Sequence, residues 1–364
     1  MPRRRGSGDP PRIRSLAMKM PLVPACALAA SLALVLTACS KSSDTSTTST
    51  TSTTSSTTSS APSAAGAEAS ASPAEVAASG GTSSGKTIGF SVQNREAQFY
   101  QTMEDGMKKE ASKYGYTVNV VDAARDNAKQ QSQVEDFIAK KVDAIVLTPY
   151  TSSAIGSAIV EANKARIPVF TADIANTSKD GKVVSHIASD NVQGGAQAGK
   201  LMCQAIPGHV GTIAIIDEPE VTSVQDRVKG FRQAIAQNCS GVTIVADIDG
   251  GGERAKASSA MEDILQSHKD LKGVFGINDD SALGATTAIT SAGLAGKVAV
   301  VGYDATPDAQ RAIANGTMYG DAIQHPDVIG AKTIDAIHDY FAGKTPPAKI
   351  AVAVGTFTKA DVNK

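Results

Sequence analysis

Residues 273–308 read GVFGINDDSALGATTAITSAGLAGKVAVVGYDATPD. A short apolar run is followed by a segment rich in small residues from near Asp279, then by a second apolar run that ends in a polar turn. The pattern is strand, helix, strand. That order makes a parallel βαβ unit with its crossover helix on one face of the sheet. Asn278 and Asp304 then occupy equivalent places, each just past the carboxyl end of a strand. In open parallel sheets ligands bind in the crevice at those strand ends, so one amide and one carboxylate are expected to face one cleft. Taken singly, each residue fits a helix cap or a turn equally well.

The same alternation runs through the chain from Lys86. Strands are expected at 86–92, 117–121, 143–148 and 167–171, with helices at about 98–114, 128–140 and 152–164. A second series follows, with strands near 211–216, 242–248, 272–276, 297–302 and 319–323. Its helices fall near 191–206, 223–237, 253–267, 280–292, 307–315 and 327–342. Two successive series of similar size imply an α/β fold of two Rossmann-like lobes with parallel sheets. Phe99, Met103, Met107 and Ala111 recur at helical spacing and mark a core face.

The amino terminus has a different composition. Arg3, Arg4, Arg5, Arg12, Arg14 and Lys19 precede an apolar run from Leu22 to Leu36, which is short for a membrane span of about 20 residues. Residues 1–38 are expected to be a signal peptide. Leu36-Thr37-Ala38-Cys39 resembles the lipobox of bacterial lipoproteins, which implies cleavage before Cys39 and lipidation of its sulfur. Removal of residues 1–38 takes away six basic side chains and one acidic one, leaving 29 positive against 35 negative, a net charge of −6. Residues 40–85 are dominated by Ser, Thr, Ala and Gly and cannot bury enough surface to order themselves. They are expected to be a tether with an average reach of roughly 35–40 Å. Gly80–Thr87, GGTSSGKT, has the phosphate-loop pattern, but it follows this tract and opens a strand rather than a helix, so it is rejected. No basic run persists beyond the amino terminus, which argues against nucleic acid as a partner. The five histidines, at 186, 209, 268, 325 and 338, are scattered without metal spacing, and neither a metal nor a cofactor is expected. Cys203 and Cys239 either pair in an oxidising compartment or stand as two buried thiols.

GINDDSALGA followed by VVGYDATPD resembles the second lobe of the periplasmic ribose-binding proteins, within the wider family of type I periplasmic sugar-binding proteins and lac-repressor-like domains. PVFTADIAN, VVSHIASDNVQGG and AIQHPDVIGAK extend the resemblance over nearly all of the chain after Lys86. It implies a three-segment hinge, with crossovers near Ser189, Gln324 to His325 and Val354. Lobe 1 would be 86–188 plus 325–353, and lobe 2 would be 189–324 plus 354–364. The resemblance places Phe99, Tyr100, Thr148, Asp173, Arg227, Asn278, Asp304 and Gln324 in the ligand site, with Arg227 in an RxxGF pattern. Three positions depart from the ribose pattern: Ala97 for an amide, Ile174 for a second arginine and Gly252 for an aromatic ring. A site built for particular hydroxyls discriminates against analogues, so the departures argue against ribose, and a hexose, another pentose or a polyol fits at least as well. The implied function is that of a substrate-binding lipoprotein of an ABC sugar importer. It would be a monomer without enzymatic activity, exported and lipid-anchored at the outer face of the cytoplasmic membrane or in the periplasm, delivering a monosaccharide or polyol to a permease. The alternative is a sensor that presents its sugar-bound form to a chemoreceptor or histidine kinase.

Overall fold

The computed structural model describes residues 85–362. The expected signal peptide, the lipidated Cys39 and all but the last residue of the tether lie outside the described residues. The first series runs β1 (Thr87–Val92), α1 (Gln98–Lys113), β2 (Thr117–Asp122), α2 (Asn127–Ala139), β3 (Ala144–Leu147), α3 (Gly156–Lys164), β4 (Val169–Ala172) and β5 (Val183–Ser189). The second runs α4 (Asn191–Ala205), β6 (Val210–Asp217), α5 (Thr222–Asn238), β7 (Gly241–Asp249), α6 (Arg254–Ser267), β8 (Leu271–Gly276), α7 (Asp279–Ser291), β9 (Ala299–Asp304), α8 (Pro307–Asn315) and β10 (Gly320–Ile323). The chain closes with α9 (Pro326–Phe341), β11 (Lys349–Val352) and β12 (Gly355–Thr358).

These strands form two six-stranded sheets, ordered β11-β5-β4-β3-β1-β2 and β12-β10-β9-β8-β6-β7. All pairs are parallel except β10 with β12, so the second sheet carries one antiparallel edge where an all-parallel sheet was expected. The chain passes between the sheets after β5, after β10 and between β11 and β12. Each sheet is buried on both faces, and its strands show it. In β3, Ala144 and Val146 join the core beneath α1 and α9, while Ile145 and Leu147 join the core beneath α2 and α3. In β6, Ile213 and Ile215 face α4 and α5, while Ala214 and Ile216 face α6 and α7.

Close helix pairs brace both lobes through glycine. A Cβ on Gly106 would meet the Asp327 carbonyl at 2.3 Å, and one on Gly330 would meet that of Met103 at 2.2 Å, so α1 and α9 touch backbone to backbone. In the second lobe a Cβ on Gly195 would lie 1.9 Å from the Arg227 carbonyl, and one on Gly230 would lie 2.0 Å from that of Val192. A disulfide between Cys203 of α4 and Cys239, just after α5, ties the far end of this pair, with Cα atoms 5.7 Å apart.

Three strands escape the sequence reading. In β5, VVSHIAS, polar residues interrupt the apolar run and two of them find distant partners: Ser185 Oγ donates to the Pro347 carbonyl at 2.7 Å, and His186 Nδ1 pairs with Thr171 Oγ1 at 2.9 Å. β11 and β12 are four-residue edge strands too short to show a period. The third helix starts at Gly156 rather than 152, because Ser152 serves the turn before it: its N–H donates to the Glu220 carbonyl at 3.1 Å, and its Oγ accepts from the Thr222 N–H at 3.0 Å.

Gly195→Ala drives a methyl into backbone that cannot move aside. It should cost about 1–3 kcal/mol or more, seen as a lower urea midpoint with an unchanged slope in equilibrium unfolding.

Candidate ligand-binding cleft

The carboxyl ends of β1, β4, β6, β8 and β9 open onto one cavity of about 440 Å³ between the two sheets. Phe99, Tyr100, Asp173, Arg227, Asn278, Asp304 and Gln324 all line it. Thr148 does not: it is buried behind the wall, where its carbonyl accepts from Gln130 Nε2 at 3.0 Å. The residue after β3 is therefore not among those that line the cleft, unlike the position expected from resemblance, and its Oγ1 is buried without a hydrogen-bond partner among the described residues. Phe99 and Tyr100 are both cleft wall and core, meeting edge to face with centroids 5.2 Å apart.

Arg227, 4% exposed, is the centre of the site. Its Nε donates to Asn191 Oδ1 at 2.8 Å and its NH1 to the Ile277 carbonyl at 3.0 Å. The guanidinium lies over the Tyr303 ring, 4.2 Å from the centroid, while Tyr303 Oη donates to the same Asn191 oxygen at 3.1 Å. Its NH2 lies 3.9 Å from Asp173 Oδ1, an ion pair between residues of opposite lobes. The glycine-mediated approach of α4 to α5 makes this possible, because it brings Asn191 at the start of α4 beneath the arginine of α5. Burial pulls the Arg227 pKa down, and Tyr303, Asp304 and Asp173 outweigh that effect, so it ends above its ordinary value.

Two carboxylates project from strand ends in unusual backbone. Asp173, just past β4, has φ 64°, and Asp304, the last residue of β9, has φ 125°. Non-glycine residues hold such angles only where surroundings fix them, and such strain gathers at ligand sites. Tyr100 Oη donates to Asp173 Oδ2 at 3.4 Å, and Gln324 Nε2 donates to Asp304 Oδ1 at 2.7 Å. Burial is the main cause that raises both carboxyls; Arg227 and the Tyr100 bond oppose it at Asp173, and the Asp279 charge adds to it at Asp304. Asn278 caps α7 by accepting from the Ser281 N–H at 2.8 Å, and its Nδ2 donates to the Gly252 carbonyl at 3.2 Å. The cap and the cleft roles coincide in one side chain.

Behind Asp304 stands a second acidic pair. Asp279 Oδ2 accepts from the Thr306 N–H at 2.6 Å, and Asp321 is fully buried on β10. Both face Gly302, where a Cβ would lie 2.3 Å from Asp321 Oδ1 and 3.0 Å from Asp279 Oδ1. Burial pushes Asp321 up to about 8, and burial followed by the Asp321 charge raises Asp279 well above the carboxylate range.

The sequence reading passed over Gln93, Asn94, Arg125, Asn191, Glu218 and Tyr303. All but Asn191 and Tyr303 line the cavity. Gln93 and Glu218 follow β1 and β6 directly, so the rule that selected Asn278 and Asp304 reaches them too. Asn191 and Tyr303 act through Arg227 and carry no such positional signal. The three departures, Ala97, Ile174 and Gly252, all line the cavity. Ile174 leaves the first lobe to pack in the core cluster of the second, so an apolar contact joins the lobes where the ribose pattern has a guanidinium. Among the described residues there is no cluster suited to a metal, and no helix is long and apolar enough to cross a membrane.

The family model described as "Periplasmic binding protein domain" matches residues 88–345. The chain belongs to the periplasmic binding protein family. It is 35% identical over 266 residues to the ribose import binding protein of Salmonella typhimurium, covering 73% of this chain and 88% of that one. Its fold is similar to that of an ABC transporter periplasmic solute binding protein from Actinobacillus succinogenes with bound D-allose (TM-score 0.71, 29% identity, 76% of this chain and 99% of that one). It is equally similar to an ABC transporter solute binding protein from Bacillus halodurans with bound myo-inositol (TM-score 0.71, 28% identity, 78% and 98%). The two-lobed α/β architecture of this periplasmic binding protein is that of its solved relatives.

The acidic pair gives a pH signature. A carboxyl whose folded pKa is raised stabilises the fold most below its ordinary value of 3.8, and that contribution is lost as pH rises through about 8. Glu218, raised to about 7 chiefly by burial, has the same sign. The melting temperature should therefore fall between pH 4 and 8 from these groups. Asp321→Asn should flatten the upper part of that fall and raise the melting temperature at pH 8, as read by scanning calorimetry.

Proposed function

We propose that this periplasmic binding protein is the substrate-binding component of an ABC sugar importer, capturing a monosaccharide or polyol between two lobes and delivering it to a permease. One observation carries the reading. Asp173 Oδ1 and Gln324 Oε1 are buried oxygens without a hydrogen-bond partner among the described residues, and both residues line the cleft. A buried acceptor left without a donor is costly, and sugar hydroxyls are donors. Phe99 and Tyr100 offer an apolar wall for ring carbons, and Arg227 offers donors to ring and hydroxyl oxygens. The similarity to the ribose import protein and to the D-allose and myo-inositol complexes supports the same class of ligand.

Residues 86–188 with 325–353 form one moving body in this proposal, and residues 189–324 with 354–364 form the other. Ligand hydroxyls that bond Asp173 on one side and Asp304 on the other couple binding to closure. The carboxylates act as acceptors rather than as an acid and base pair, so the ligand leaves unchanged. The basic and apolar leader and the Leu36–Cys39 motif support export and lipid attachment at Cys39, at the outer face of the cytoplasmic membrane or in the periplasm.

The experiment is a thermal-shift screen of the purified protein against pentoses, hexoses and polyols, with calorimetry on each hit. A ligand at a hundredfold excess over its Kd adds about 2.7 kcal/mol to native stability. Asp304→Ala should weaken the best ligand by about 2–4 kcal/mol without lowering the melting temperature of the free protein. Retained affinity in that variant would remove Asp304 from the site.

A further inference from the structure

Resting on that reading of the cleft, we propose that Glu218 is a specificity-determining residue whose carboxylate accepts from a ligand hydroxyl at the Gly252 edge, selecting neutral ligands that are hydroxylated there. Glu218 directly follows β6, on the same row of strand ends as Asn278 and Asp304. Its Oε1 accepts from Gln93 Nε2 of the opposite lobe at 3.3 Å, a long bond for a carboxylate in a buried site. Its Oε2 is turned toward Gly252, where a Cβ would lie 2.5 Å from that oxygen and 3.2 Å from Asn278 Nδ2. Any side chain at 252 would collide with the carboxylate, and the backbone there, at φ +64°, also favours glycine.

The two features belong together. Where the ribose pattern has a ring at position 252, this chain has no side chain, and the carboxylate of Glu218 and the amide of Asn278 take the corner. A ring presents an apolar face and welcomes the C–H side of a sugar. A buried carboxyl, which accepts when ionised and also donates when protonated, is left poorly satisfied unless the ligand brings a hydroxyl. The ligand edge facing Gly252 is therefore a hydroxyl edge.

Charge narrows the class further. Asp173, Glu218 and Asp304 are buried carboxyls lining the cleft, and Arg227 is the buried cation among them. Two further cations line the cleft and each already faces two carboxylates: Arg125 lies 3.9 Å from Glu253 and 3.5 Å from Glu96, and Arg254 lies 2.9 Å from Asp280 and 3.2 Å from Asp308. A phosphorylated or carboxylated sugar would bring a charge out of water into a cleft whose buried cation, Arg227, already faces Asp173. Neutral hexoses, hexitols and cyclitols meet the requirement.

The test is a double-mutant cycle between protein and ligand. Calorimetry compares the wild type, Glu218→Gln and Glu218→Ala with the best sugar of the screen and its single-deoxy analogues, with circular dichroism and melting temperature as checks on folding. One deoxy position should cost the wild type about 10- to 100-fold in affinity and cost Glu218→Ala almost nothing further. Glu218→Gln keeps the shape and should fall between the two. The phosphorylated form of the same sugar should fail to bind the wild type. Full affinity in both Glu218 variants, or deoxy losses that simply add to the Glu218→Ala loss at every position, would overturn the proposal while leaving the sugar-binding reading intact. A wild type that binds no member of the panel would overturn both.

Discussion

A guanidinium taken out of water must be compensated on every side, and in this protein the compensation of Arg227 organises both lobes. An amide at the head of α4, a carbonyl at the end of β8, a tyrosine ring on β9 and a carboxylate from the opposite lobe converge on one charge. Asn191, the partner from α4, would be carried away from it if α4 and α5 were held apart by side chains. The glycines at 195 and 230 are thus as much a part of the cleft as the residues that line it. The arrangement also explains why the acidic residues can be buried in such number. Asp173 draws on that cation and on Tyr100, Asp304 draws on Gln324, and each is held closer to its protonated form than it would be in water.

Much of this was legible in the chain. The βαβ reading of residues 273–308 put Asn278 and Asp304 at the mouth of a crevice by topology alone, and the structure brings both to the cavity wall. Resemblance added Asp173, Arg227 and Gln324, which position in a series of strands could not have distinguished from turn formers and surface charges. Thr148 shows the limit of transfer by position. It directly follows β3 as expected, yet it is fully buried and does not line the cavity. β5 was hidden for a different reason: its serine and histidine are silenced by partners distant in sequence, which no local pattern reveals. Asn191 and Tyr303 were invisible because their role is to hold another residue, and that role exists only in three dimensions.

The three departures from the ribose pattern do not act alike. Ala97 and Gly252 remove bulk from the cleft, and Ile174 replaces a charge with an apolar contact that crosses between the lobes. Other contacts that join the lobes, among them Ser152 with Thr222, Gln93 with Glu218 and Arg125 with Glu253, are polar. Ile174 gives that meeting an apolar component, which is non-directional and tolerant of small shifts. Polar bonds then fix the register at which the two sides meet.

The position of β1 in its sheet has a mechanical side. The strand lies between β3 and β2, and the described chain enters it at the end remote from the cleft. A pull transmitted through residue 85 therefore loads two parallel ladders in shear, with Lys86 clasped to Asp143 at 3.0 Å where the load arrives. Shear shares force over every bond of both ladders, whereas a pull on an edge strand would peel them one at a time. The force line runs along the strand and away from the strand ends where Asp173 and Asp304 sit. The amino end of the described chain thus meets the fold where pairing on both sides resists shear.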